Sequence, residues 1–269
     1  MLVILDIQMI PIYQAIIAEE EDLPGGTTRP ILVTVQTPKG LDKYVVKIFD
    51  TAQQPNYFPL SNEVYGSILA SQFDIPTPEI ALISLQDDLI QTLKHDIKQR
   101  VLKCNPKLFF GSKYHDGYIQ YVPSKNNTSF NLDSIEIIFA LDVLLRNVDR
   151  RIGKSNLLVK KGSYLAIDHE LCFHIDRKFT EYNTEDWSFI NRHRIHIFRS
   201  RLQKNIVQAQ FSVIQEYIRA MDIGAIAQAA SFLQKNNLNP GNLHLINLYL
   251  SDVKTNVNKF IHLCKLLIV

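Results

Sequence analysis

Between Ile135 and Leu145 nine of eleven residues are apolar, and the run stops abruptly at Arg146-Asn147-Val148-Asp149-Arg150-Arg151. A helix that is apolar nearly all round has no face for solvent, so it belongs in a core. Glu136 and Asp142 interrupt it and argue against a membrane span. The sequence therefore predicts a buried central helix that delivers Asp149 onto a charged loop.

Beyond that loop, Leu157-Leu158-Val159 and Tyr164-Leu165-Ala166-Ile167 flank the turn Lys160-Lys161-Gly162-Ser163, the pattern of a short hairpin. Asn156 opens the first strand and Asp168 closes the second, so the hairpin should bring the two together. Asp149 then has a carboxylate for a hydroxyl. Asn156 and Asp168 offer the hard oxygens that magnesium takes together with substrate phosphates. The plainer alternative is that Asp149 caps a turn and Asp168 pairs with Arg150 or Arg151.

The first third reads as sheet. A strand is expected near Ile10–Ala18, and the runs Ile31–Val35 and Tyr44–Phe49 flank the turn Thr37-Pro38-Lys39-Gly40. Ser61 is a candidate N-cap for a helix with Val64, Ile68 and Leu69, ended by Ile75-Pro76-Thr77-Pro78. Glu79–Leu85 reads as another strand, and Gln86–Lys103 as charged and irregular, with a helix as one option. In the second half, Ile206, Val207, Phe211, Ile214, Tyr217, Ile218 and Met221 share a helical rhythm. Leu243–Val269 is a further helical stretch, opened by Asn239-Pro240-Gly241. The expected architecture is α+β and bilobal: a small β-rich lobe over 1–123 and a mainly helical lobe over 124–269. Ser124–Asn131 is the polar connection between them.

Composition removes several classes. Lys+Arg 29 against Asp+Glu 27 leaves +2, too balanced to make nucleic acid or an anionic membrane the main partner. Cys104, Cys172 and Cys264 are odd in number and form no paired motif, which excludes a zinc ribbon or disulfide framework and fits a reducing compartment. The apolar start Met1–Leu5 meets Asp6 at once, unlike a signal peptide, so a soluble cytoplasmic protein is expected. Arg192, His193, Arg194, His196, Arg199 and Arg201 form a basic cluster, expected as a solvated face, with an acidic partner or a product phosphate as the second option. Trp187 is expected to pack.

Protein kinases use such an Asp, Asn and Asp arrangement for phosphoryl transfer, and they also need a lysine on the nucleotide. Val45-Val46-Lys47-Ile48 resembles the lysine strand of protein kinases, whose lysine reaches the phosphates and pairs with a helix glutamate. Glu63, near the start of the following helix, is the candidate partner. Lys47 could otherwise be an ordinary strand lysine, and Glu63 a first-turn acid. Upstream, Gly25, Gly26, Thr27 and Thr28 are small enough for backbone amides to approach phosphate oxygens, although they match neither common glycine-rich fingerprint. Glycine loop, lysine strand, helix glutamate, Asp, Asn, Asp is the order of a protein kinase.

On these residues the chain resembles the HipA-like kinase family, in its short bacterial branch related in fold to phosphatidylinositol kinases. The matching features are Gly-Gly-Thr-Thr-Arg-Pro at 25–30, Tyr-Val-Val-Lys at 44–47, Asn-Glu at 62–63 and Phe-Gly-Ser-Lys at 110–113. Asn-Val-Asp-Arg at 147–150, Asn-Leu-Leu at 156–158 and Ile-Asp-His at 167–169 complete the set. The resemblance implies ATP and Mg²⁺ as cofactors. It implies Lys47 on the nucleotide phosphates, Glu63 as its partner, Asp149 as catalytic aspartate, and Asn156 and Asp168 as metal ligands. It further implies a protein acceptor with a Ser or Thr hydroxyl, a regulatory or antitoxin-like protein partner, and self-phosphorylation of Thr27 or Thr28. Phe109–Lys113 is the adenine hinge by resemblance, with Tyr118–Val122 as the alternative. His169 could be a donor behind Asp168 or a packing residue. Asp149 and Asn156 stand further apart than in the usual kinase loop, and Asp168-His169-Glu170 replaces Asp-Phe-Gly. Two rivals remain: a kinase for a lipid or small molecule, and a catalytically silent nucleotide-binding module.

Overall fold

The computed structural model describes residues 10–19, 28–49, 57–123, 130–182 and 194–269. The chain divides into two compact units. The first comprises Met1–Val64, Pro78–Asp116 and Gln228–Gly241; the second comprises Tyr65–Thr77, Gly117–Ala227 and Asn242–Val269. The architecture is mixed α+β, with the larger sheet early in the chain and most helices late.

The first unit is built on a closed barrel of β1 (Ile12–Ala18), β2 (Ile31–Thr37), β3 (Gly40–Lys47), β4 (Ile80–Ser84) and β5 (Leu108–Lys113), in the order β1-β2-β3-β5-β4. β1 closes the ring by running parallel to β4, with Ile12 beside Leu82. Alternation aims Val33, Val35, Tyr44, Val46, Ala81 and Ile83 inward, where all are buried. The interior is filled to the backbone: a Cβ on Gly111 would overlap Ile83. The turn between β2 and β3 is tighter than the sequence suggested. Thr37 pairs with Gly40, leaving Pro38 and Lys39 between the strands. Gly40 makes this possible at φ +125°, and Thr37 Oγ1 accepts from Lys39 N at 3.2 Å.

Helix α1 (Pro59–Gln72) follows β3. Ser61 is not its cap. Proline suits the first helical position, so the helix starts at Pro59, three residues earlier than a Ser61 cap would place it, and Ser61 Oγ donates to Phe58 O at 3.0 Å. Two short helices, α2 (Asp87–Thr92) and α3 (His95–Lys103), occupy the charged stretch for which a helix was one option.

The second unit is organised around α4 (Leu132–Leu145), with Ile135, Ile138, Phe139, Leu141, Val143 and Leu144 among its buried residues. Asn131 caps it by accepting from Ser134 N at 2.7 Å, and Arg146 ends it in the left-handed region at φ 56°. Of its three acids Asp133 is exposed, while Glu136 and Asp142 are buried and used. Glu136 accepts from Phe211 N at 2.9 Å, and Asp142 serves the site described below. β6 (Ile119–Gln120), β7 (Leu157–Lys160) and β8 (Ser163–Ala166) form a small sheet. The β7–β8 turn has positive φ at Lys161 and Gly162, the mirror-image turn that suits strand twist.

Among the described residues, a 3-10 turn at Phe179–Glu181 is followed by α5 (Arg199–Lys204), α6 (Ser212–Ala220), α7 (Ile223–Lys235), α8 (Leu243–Thr255) and α9 (Val257–Ile268). The single helix expected across 206–221 is shorter. Ile206 and Val207 are exposed, and Phe211 at φ 54° is held by Glu136, so α6 starts only at Ser212. The expected solvated basic face is corrected in part: Arg194 is exposed, but the other described members are engaged. His196 is buried, Arg199 donates to Leu267 O at 2.9 Å, and Arg201 donates to Phe130 O at 3.0 Å. Arg192, His193 and Trp187 lie outside the described residues. Among the described residues no helix is long and apolar enough to cross a membrane.

Candidate active site

In the first unit, Lys47 closes β3 and Glu63 sits one turn into α1. Lys47 Nζ and Glu63 Oε1 form an ion pair in which the carboxylate is only 2% exposed and the lysine 13%. Such a pair constrains both partners, because removing one takes a close opposite charge from a largely buried group. Lys47 also lines a cavity of about 500 Å³ with Phe49, Arg100, Lys103 and Phe109.

Of the proposed glycine-rich loop, Gly25, Gly26 and Thr27 lie outside the described residues. Thr28 is described, and its end of the loop is anchored. The Arg100 guanidinium donates to Thr28 O, to Arg29 O at 3.2 Å and to Ile48 O at 2.7 Å. One side chain on α3 thus ties the loop exit to the residue after Lys47.

The second unit carries the other candidates. Asp149 lies four residues past α4, with its N–H donating to Asn147 Oδ1 at 3.1 Å. Asn156 precedes β7 and donates from Nδ2 to Asp149 Oδ2 at 3.3 Å. Asp168 follows β8, and Ile167 N donates to Asn156 O at 3.0 Å, so both residues stand at the open end of one hairpin. Asn156 (φ 49°) and Asp168 (φ 66°) both adopt the left-handed region, which Asn and Asp tolerate better than other residues with a side chain. Lys154 connects the set. Its Nζ lies 2.5 Å from Asp149 Oδ2 and 3.6 Å from Asp168 Oδ2. Neither arginine takes Asp168 in the way the plainer reading expected: Arg150 pairs with Asp142, and Arg151 lies 3.8 Å from Asp149.

Beneath this layer is a buried polar hub. Asp142 accepts from Asn147 Nδ2 at 2.8 Å, Arg150 Nε at 2.6 Å and His196 Nε2 at 2.9 Å. Arg150 reaches on to Asn156 O and to Ser155 O at 3.4 Å, so one guanidinium braces both ends of the loop. Burial pushes the Asp142 carboxyl up, but Arg150 and His196 outweigh it and hold the pKa at about 2. His169 is buried against α1, where a Cβ on Gly66 would overlap it.

The oxygen donors fit a hard divalent cation. The Lys154 ammonium, seated between Asp149 and Asp168, shows that positive charge is favoured there. Sequence reasoning missed Lys154, Asp142, His196 and Arg100. For Asp142 a signal was present: a carboxylate inside the apolar run Ile137–Leu145, two turns before Asp149.

A β-barrel unit with an ion-paired lysine, and a helical unit presenting Asp149, Asn156 and Asp168 on a loop and hairpin, define the class of protein-kinase-like folds. A family model described as HipA-like kinase matches residues 19–247. The match spans most of the chain, and the chain belongs to the HipA-like kinase family. Among solved structures it is similar in fold to the proinflammatory kinase CtkA of Helicobacter pylori. The TM-score is 0.51 at 13% identity, over 94% of this chain and 95% of that one. Comparison with curated proteins gave no match.

Proposed function

We propose that the chain transfers the γ-phosphoryl group of ATP to a Ser or Thr hydroxyl of a protein. The observation that carries this reading is the set Asp149, Lys154, Asn156 and Asp168, gathered on one loop and hairpin in a chain of the HipA-like kinase family. Phosphoryl transfer asks mainly for positioning and charge neutralisation. Lys47, fixed by Glu63, takes the nucleotide phosphates. Asp149 orients the acceptor hydroxyl and accepts its proton as the new O–P bond forms and the bond from γ-phosphorus to the bridging oxygen breaks, releasing ADP. Asn156 and Asp168 would hold Mg²⁺, which would neutralise phosphate charge when bound. Lys154 limits the repulsion between Asp149 and Asp168.

Protein with labelled ATP and Mg²⁺, with and without lysate, tests the reading. Label on a protein Ser or Thr, lost in Asp149→Ala, is the expected result. Label only on lipid or on a small molecule moves the acceptor class, and no label with any acceptor overturns the proposal.

A further inference from the structure

The Asp142 hub contains one member far from the others in sequence. His196 is only 5% exposed, and Phe139 stands edge-on to its ring at 4.9 Å. Phe198 N donates to His196 Nδ1 at 3.2 Å. That fixes the tautomer: Nδ1 accepts, so Nε2 carries the proton and donates to Asp142 at 2.9 Å. Burial holds the pKa of the imidazole below its ordinary value, in keeping with a neutral ring. The same segment meets the loop by its backbone. Ile197 N donates to Arg150 O at 3.1 Å, and Arg151 and His196 form an isolated antiparallel bridge.

We infer that His196 is a positioning residue for the phosphoryl-transfer loop: through Asp142 it fixes Arg150, and through Arg150 both Asp149 and Asn156. Asp142 Oδ2 receives Arg150 and His196 together, so the imidazole limits the carboxylate's freedom to turn. Arg150 then points along one line, toward the Ser155 and Asn156 carbonyls. Buried networks of this kind specify a geometry when every member is satisfied and loosen when one is lost. Lys47, the proposed nucleotide contact, belongs to the other unit, so loss of His196 should leave nucleotide affinity alone and slow the transfer step. The inference rests on the kinase reading for its kinetic part only.

The test compares His196→Leu, which keeps bulk without donors, and His196→Gln, whose amide can still donate to Asp142. Amide hydrogen exchange over 147–156 is measured first, with α8 and α9 as an internal reference. In His196→Leu, exchange over 147–156 should quicken about tenfold while α8 and α9 stay as in the wild type. Turnover should fall about tenfold or more, with the KM for ATP within about twofold. His196→Gln should recover both to within about threefold of the wild type. Wild-type exchange over 147–156 in His196→Leu overturns the inference. So does quickened exchange throughout the unit, a raised KM at unchanged turnover, or a glutamine variant no better than leucine. If the wild-type protein transfers no phosphate from ATP, the kinase reading falls, and the exchange data alone decide the role of His196.

Discussion

The ammonium of Lys154 lies 2.5 Å from Asp149 Oδ2. The same group is 3.6 Å from Asp168 Oδ2, so one cation serves two carboxylates. Burial alone would lower the lysine pKa, but the bond to Asp149 and the charge of Asp168 outweigh it and hold the group above its usual value. Lys154→Met leaves the two acids facing each other. In chelator the variant should lose about 1 kcal/mol of stability, and added Mg²⁺ should raise its melting temperature more than that of the wild type. Thermal melts with and without Mg²⁺ decide this; an equal Mg²⁺ response in both proteins would show that Lys154 does not share the ion's place.

Asp168→Asn should abolish phosphoryl transfer while changing stability by less than about 1 kcal/mol. Asparagine tolerates the φ of 66° and retains the shape, but loses the charge that holds a metal ion. Transfer assays and urea midpoints measured on one preparation check both halves. A variant with most of the wild-type rate removes Asp168 from the site.

Lys47→Ala and Glu63→Ala separate binding from orientation. Each breaks a largely buried pair, and up to about 3 kcal/mol of stability should go in Lys47→Ala, where the buried Glu63 loses this cation. ATP affinity should fall strongly in Lys47→Ala. Glu63→Ala should instead slow turnover more than it weakens binding. A kinetically silent Glu63→Ala would contradict the assignment of the pair.

Gly66→Ala places a methyl group on His169. Overpacking of this sort costs about 1–3 kcal/mol. Because His169 adjoins Asp168, the transfer rate should fall as well. Trimming the opposing side chain in Gly66→Ala/His169→Ala should recover part of the stability lost, and strictly additive losses would refute the contact.

His196 predicts a pH dependence with a definite sign. Burial, aided by the charge of Arg150 and opposed by Asp142, keeps its folded pKa below the ordinary value of about 6.5. Below that pH the unfolded chain binds the proton and the folded chain does not. The contribution is therefore whole above pH 6.5 and declines as pH falls, by up to about 1.4 kcal/mol per unit until the folded imidazole also protonates. Asp142, held at about 2, does not titrate in this window. Between pH 6.5 and 5.5 the urea midpoint of the wild type should drop more than that of His196→Gln. Parallel lines for the two proteins would exclude the imidazole as the cause.

Local signals in the sequence reached a long way. The apolar run before Asp149 is α4, and the turn at Lys161 and Gly162 joins β7 to β8. Lys47 and Glu63 are paired, and the hairpin places Asn156 and Asp168 at the same end. The misses share a cause. Asp142 needed His196, which is 54 residues away, and Arg100 needed carbonyls 71 and 72 residues back. No spacing rule carries such partners. Asp142 looked like a flaw in an apolar stripe because the donors it accepts from are brought to it by the fold. Ser61 was a weaker start signal than Pro59, whose lack of an N–H costs a helix nothing at its first position.

The ring formed by β1 and β4 bears on how the protein is made. While the chain is being synthesised, β1, β2 and β3 emerge as an open meander with both outer edges bare. The partner of one edge begins at Ile80 and that of the other at Leu108. Until those segments leave the ribosome, two rows of amide and carbonyl groups are available to other chains. Closing a ring across that much sequence is slow compared with forming a hairpin. The interval before residue 113 is therefore when a new chain is most prone to aggregate, and a chaperone would matter most then. A stalled fragment that ends ahead of Leu108 should stick to its neighbours, whereas one that includes Lys113 can seal the barrel.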